Sequence, residues 1–297
     1  MAPLPQQRSV PSGDVVLAVR EHGRAEPGRP TVVLVHGYPD RQDTWDALVA
    51  ALPLETLHVV TYDVRGAGAS TAPRDVSGYV TDRLVDDLAA VVAAVRPDGA
   101  PVHLVGHDWG SVQLWDAVAA APDDERLRGR IASFTSVSGP SLDHVAWLSR
   151  HREGRERELL RQGRHSWYIG FFRLPLVPEL VWRRLHPSLG RAIERSERLP
   201  QGHFGPGLGQ DAVNGLSLYR ANVTGRLRRP GRLHTDVPVL VLHPRYDRFL
   251  TPVLLEDLDR ACSDLTVETL DAGHWVIVTH AEVVAARVRD HVLAHTG

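Results

Sequence analysis

Three residues far apart in this chain have the types and settings to do chemistry together: Asp108, Asp247 and His274. Asp108 is the centre of Gly106-His-Asp-Trp-Gly110, which follows the apolar β-type run from Pro101 to Val105 and precedes the helix-forming run from Val112 to Val118. Two glycines around one reactive residue at a strand-to-helix junction let the backbone turn tightly and push the central side chain into a cleft. The pattern usually carries Ser, but the chain contains no Gly-x-Ser-x-Gly. The same five residues also read as an Asp capping the helix that follows, and by themselves leave both readings open.

A carboxylate nucleophile is ionised at neutral pH and needs no base to attack, so a base in such a site serves a second, hydrolytic step. His274, in Asp-Ala-Gly-His-Trp, and Asp247 each stand just past a strand-like run. Singly, Asp247 reads as a turn residue and His274 is one of 16 histidines. Jointly with the elbow, the three read as nucleophile, orienting acid and base. Asp271 is the rival acid, but its closeness to His274 marks a turn former. Backbone N–H groups after strand ends can hold an oxyanion, and Tyr38 and Trp109 are placed to supply them. In His36-Gly-Tyr-Pro39, His36 and Gly37 shape that loop and Pro39, lacking a donor, stiffens it. Asp63 to Ser70 reads as a structural turn that buttresses the site.

The elements that must position these residues alternate. Strands are expected over Val15–Arg20, Thr31–His36, Leu57–Asp63, the elbow strand, Ile131–Val137, Val237–His243 and Leu265–Leu270. Helices are expected over Trp45–Leu52, Thr81–Val95, the elbow helix to about Ala121, Pro252–Ala261 and Ala281–Ala294; residues 1–12 read as a loose tail. Short alternating strands and helices signal an α/β domain, a mostly parallel sheet with helices on both faces. The alternation stops at Gly139-Pro140 and resumes at Val237. The piece between lacks strand-like runs and reads as helices broken at Pro175, Pro178, Pro187 and Pro200. The expected organisation is therefore a core over residues 1–140, an inserted helical cap over 141–232 and a second part of the core over 233–297.

A chain of 297 residues with net charge −2 and a pI near 6.8 has no global electrostatic partner, which argues against nucleic acid. The one cysteine, Cys262, precludes an internal disulfide and a cysteine metal cluster, and fits a reducing compartment. The N-terminus lacks a signal-peptide core, and no apolar run approaches the roughly 20 residues of a membrane span. A soluble cytoplasmic protein without stable membrane insertion is expected; a homodimer is allowed.

Gly106-His-Asp-Trp-Gly110, His36-Gly-Tyr-Pro39, Asp63-x-Arg-Gly-x-Gly-x-Ser70, Asp247 and His274 together resemble the α/β-hydrolase-fold epoxide hydrolases, along nearly the whole chain. The order nucleophile, acid, histidine is that of the α/β-hydrolase fold. The chain also resembles the hydrolase half of actinobacterial proteins that join an epoxide hydrolase to a short-chain dehydrogenase. The resemblance implies opening of a lipophilic epoxide to a vicinal diol through an Asp108 ester, without metal or cofactor. It further implies that two cap tyrosines, Tyr168 and Tyr219, bind and protonate the epoxide oxygen. Residues by themselves would make each tyrosine a packing residue with a wet hydroxyl. His36, Pro39, Trp109, Phe171 and Phe172 are expected against the substrate.

A haloalkane dehalogenase would use the same Asp and His, but usually has Asn where Tyr38 stands. A fluoroacetate dehalogenase would place Arg just after the nucleophile, where Trp109 stands. A non-enzymatic binding protein on this scaffold could lose any of the three residues, and all are present. The cap carries 17 Arg against eight acids, a net +9. These arginines read as a solvated helix face or partners of an acidic base. Alternatively they receive amphiphiles with an anionic head, with Phe171, Phe172, Leu174 and Leu176 lining an apolar slot.

Overall fold

The computed structural model describes residues 5–231 and 233–296. Eight strands form one sheet: β1 (Gln6–Ser12), β2 (Val15–His22), β3 (Thr31–Val35), β4 (His58–Tyr62), β5 (Val102–His107), β6 (Ile131–Val137), β7 (Val239–Pro244) and β8 (Leu265–Leu270). Their spatial order is β1-β2-β4-β3-β5-β6-β7-β8. β1 to β2 and β2 to β4 are antiparallel, and every later pairing is parallel. β3, β4, β5 and β7 are buried throughout, as strands covered on both faces must be.

The helices of the base are α1 (Asp46–Ala51), α2 (Thr81–Val95), α3 (Trp109–Ala120), α9 (Val276–Thr279) and α10 (Ala281–Ala294). One apolar cluster joins α2 and α3 to one face of the sheet; a second joins α1, α9 and α10 to the other. Between β6 and β7 run α4 (Leu142–Arg150), α5 (Glu156–His165), α6 (Trp167–Phe172), α7 (Val177–Glu197) and α8 (Leu208–Arg228). A third cluster binds α6, α7 and α8 to Tyr38, Tyr79, Leu84, Trp109 and Trp275 of the base. Arg226 pairs with Asp116, and Arg41 with Asp211, across the same junction.

Several sequence expectations change. The expected tail contains β1, whose polar residues pair along seven positions with β2; residues 1–4 lie outside the described set. Pro187 does not break a helix but sits inside α7. Both it and Arg183, whose carbonyl it leaves without a donor, are exposed, so water can satisfy that carbonyl. Pro178 starts α7 rather than ending anything, at a position where a missing N–H costs nothing. The expected helix Pro252–Ala261 is two 3-10 turns, Pro252–Leu255 and Leu258–Ala261, separated where Asp257 adopts φ 55°.

Candidate active site

Asp108 stands at the tip of β5, with φ 52° and ψ −122°, a conformation that costs a non-glycine residue strain. Its ends are fixed by the elements on either side: its N–H donates to Val137 at the end of β6 (3.0 Å), and its carbonyl accepts from Val112 in the first turn of α3 (3.0 Å). A Cβ on Gly106 would come within 2.6 Å of the Ser111 backbone, and one on Gly110 would run into the Val35 carbonyl. Both glycines are therefore required by close approach.

The Asp108 carboxylate makes no capping bond to α3. Its Oδ1 instead accepts from the backbone N–H of Tyr38 at 2.7 Å, so the carboxylate does not cap the helix that follows. Trp109, the first residue of α3, has an N–H that the helix itself cannot satisfy. On the far side, His274 Nε2 stands 3.7 Å from Asp108 Oδ2, and His274 Nδ1 donates to Asp247 Oδ2 at 2.9 Å. The other Asp247 oxygen accepts from the N–H groups of Phe249 (2.8 Å) and Leu250 (3.0 Å). Burial alone would push Asp247 up, but His274 and these donors hold its carboxyl below the usual range. Burial would likewise lower His274; the Asp247 and Asp108 carboxylates outweigh it and raise the imidazole to about 10. Asp271 is 70% exposed at its side chain and pairs with Arg245 at 3.1 Å. Asp63 is spent on Gln42 and Ala69, holding the turn to Ser70.

Tyr168 on α6 and Tyr219 on α8 face each other with ring centroids 5.9 Å apart. Both line a cavity of about 590 Å³ together with Tyr38, Asp108, Phe172 and His274. A second cavity of about 610 Å³, walled by Trp109, Val112 and Leu142, shares Asp108, Tyr168 and Tyr219 with the first. Burial, with the nearby Asp108 charge, pushes both phenols above their ordinary range, so they are protonated donors at neutral pH.

Four expected substrate contacts are corrected. His36 is fully buried behind the site; it donates from Nδ1 to Gly37 (2.9 Å) and accepts at Nε2 from Val64 (3.0 Å), so both ring nitrogens are spent on backbone. Phe171 packs behind Phe172 and lines neither cavity. Leu174 and Leu176 point outward, Leu176 79% exposed. Pro39 and Phe172 do line the first cavity, and Trp109 the second. Sequence reasoning missed Glu197, a buried α7 carboxylate whose Oε2 accepts from the His274 N–H at 3.2 Å. It also missed His107, which meets the His274 carbonyl at 3.0 Å and which burial, with His274 beside it, pushes down to about 4. Glu197 sits among charged helix residues, with nothing local to distinguish it from a solvated one.

A family model described as alpha/beta hydrolase fold matches residues 30–281. A Mycobacterium tuberculosis protein named probable oxidoreductase EphD is 36% identical over 97% of this chain and 50% of its own length. Epoxide hydrolase A of the same organism is 34% identical over 59% of this chain and 50% of its own. The chain thus spans about half the length of these curated relatives. Among solved structures, an epoxide hydrolase of Bacillus megaterium in complex with an inhibitor superposes with a TM-score of 0.79 at 20% identity, covering 97% of this chain and all of that one. Epoxide Hydrolase A from Mycobacterium thermoresistibile gives 0.75 at 24%, over 96% of this chain and 97% of its own.

Proposed function

The chain belongs to the alpha/beta hydrolase fold family, and on that premise we propose that it hydrolyses a lipophilic epoxide to a vicinal diol. One observation carries this reading: two protonated phenols from separate helices, Tyr168 and Tyr219, line the same cavity as a carboxylate at a strained elbow. An epoxide needs both an attacking anion and a proton for its departing oxygen. The name of one relative, epoxide hydrolase A, points the same way.

In the proposed reaction Asp108 attacks with Oδ2, because Oδ1 already accepts from Tyr38. A bond forms from Oδ2 to a ring carbon, the ring C–O bond breaks, and the oxygen takes a proton from Tyr168 or Tyr219. The product is a hydroxyalkyl ester of Asp108. Ester formation cancels one of the two carboxylate charges that raise His274, so the imidazolium gives up its proton to the tyrosinate left by ring opening and becomes the neutral base. Neutral His274, oriented by Asp247, takes a proton from a water that attacks the Asp108 carbonyl carbon. The Tyr38 and Trp109 N–H groups hold the oxyanion. Collapse releases the diol and restores the Asp108 carboxylate, and the proton taken from water stays on His274, whose raised value returns with the Asp108 charge.

We place the cap at residues 141–232 over a base of 1–140 and 233–297, supported by the helical run between β6 and β7. A cytoplasmic site of action fits the single, buried Cys262. Single turnover of styrene oxide in heavy-oxygen water tests the reading. Heavy oxygen is expected in the peptide carrying Asp108. Label confined to the diol would mean direct attack by water and would overturn it.

A further inference from the structure

Residues 159–193 contain six arginines, Arg161, Arg164, Arg173, Arg183, Arg184 and Arg191, and one acid, Glu179. Glu179 is itself paired with Arg220 at 2.6 Å. The same stretch holds seven of the 13 large apolar side chains that stand exposed among the described residues, with Trp167 69% exposed and Leu176 79%. Such crowding of outward apolar groups inside a basic region whose one acid is already paired is not the scatter expected of an ordinary surface.

The apolar groups are held outward by bonds. Val177 N–H donates to the Pro175 carbonyl at 2.7 Å, making a tight turn centred on Leu176, whose φ of 65° is rare for a branched residue. The Arg220 guanidinium ties this turn down, donating to the carbonyls of Phe172 (3.0 Å) and Leu174 (2.7 Å) as well as to Glu179. Along α7, Leu180 follows Leu176 by one turn, and Arg183 and Arg184 follow Leu180 by another, so they share one side. Phe172 and Trp182, from the same two helices, face inward onto the cavity that holds Asp108. Trp167 does both, lining that cavity while largely exposed.

We propose that this outer face of α6 and α7 docks on the surface of an anionic lipid bilayer. Leu176, Val177 and Leu180 would enter the headgroup region, the arginines would meet lipid phosphates, and Trp167 would bring the cavity mouth to the interface. Arginines beside exposed Leu and Trp have the chemistry of interfacial binding, in which shallow apolar burial and attraction to anionic lipid add. A second copy of the chain is a poorer occupant, because a twofold contact would set this positive surface against itself. No helix of the described residues is long and apolar enough to cross a membrane. The inference does not depend on the reaction proposed above.

The full chain is floated with vesicles of phosphatidylcholine alone and of phosphatidylcholine mixed with phosphatidylglycerol. Binding is expected only to the anionic vesicles, and is expected to fall as salt shortens the Debye length from about 10 Å toward about 3 Å. The pairs Leu176→Ser with Leu180→Ser, and Arg183→Ser with Arg184→Ser, should each reduce binding by about tenfold or more. Their thermal midpoints and turnover of a water-soluble epoxide should match those of the native chain, none of the four residues lining the site. Absence of native binding, equal binding to both vesicle types, or native binding by both double variants would overturn the proposal. So would a change in mass by light scattering in the leucine pair, which would assign the face to another copy.

Discussion

His274 Nε2 and Asp108 Oδ2 are separated by 3.7 Å, a distance too long for a hydrogen bond and short enough for strong charge coupling. The base we propose, His274, therefore leaves Asp108 Oδ2 without a hydrogen bond while sensing its charge.

That separation predicts how the two steps come apart. Replacing His274 with Gln removes the base for ester hydrolysis and leaves Asp108 free to be alkylated. Intact-mass measurement after mixing with an epoxide should show protein plus one epoxide, accumulating stoichiometrically. Steady turnover by this variant would place the base elsewhere.

The same coupling predicts a titration. In the folded chain His274 is raised to about 10 by Asp247 and Asp108 against the effect of burial. Removing one of those charges in Asp108→Asn should move its midpoint downward, measured from the imidazole resonances as pH is raised. Because the folded value is the raised one, the stability His274 contributes is complete below its ordinary value near 6.5 and fades as pH rises toward 10. The variant should lose that alkaline dependence earlier. An unchanged midpoint would mean that Asp108 does not govern the base.

Tyr168→Phe and Tyr219→Phe test the proton donors. Removing a donor to developing oxyanion charge commonly costs on the order of 10²-fold or more. Each single variant should slow the alkylation phase in stopped-flow experiments, and the double variant should be nearly inactive on epoxides. Native rates in the double variant would reduce both tyrosines to packing residues.

A stability prediction concerns Arg65 and Asp87, joined at 2.6 Å with both side chains 1% exposed. Asp87→Ala strands a buried guanidinium and should cost about 3–5 kcal/mol in denaturant unfolding. A loss under about 1 kcal/mol, the level of an exposed pair, would mean that water reaches Arg65.

How much of this was legible beforehand follows from how local each signal is. The elbow at Asp108 was readable because two glycines, an apolar run before and a helical run after are all within a few residues. The parallel sheet and its alternation were readable for the same reason, and α2, β6, β8 and α10 keep the bounds that their periodicity indicates. The chain order of Asp108, Asp247 and His274 suggested their convergence. The sequence by itself determined which strands are buried and that Asp108, Asp247 and His274 each follow a strand end.

Tertiary structure decided whatever depends on a partner distant in sequence. β1 exists because β2 offers it a ladder of hydrogen bonds, which its polar residues do not announce. His36 turns inward because Val64, 28 residues away, supplies an N–H for its ring. Asp247 rather than Asp271 orients His274 because the fold buries one carboxylate beside the imidazole and leaves the other in water, where a charge needs no partner. Glu197 reaches the His274 backbone across 77 residues, and Leu176 is exposed because Arg220 pins its turn. Composition and periodicity report which side chains avoid water; which of two similar groups meets a given atom is settled only when the distant elements close on one another.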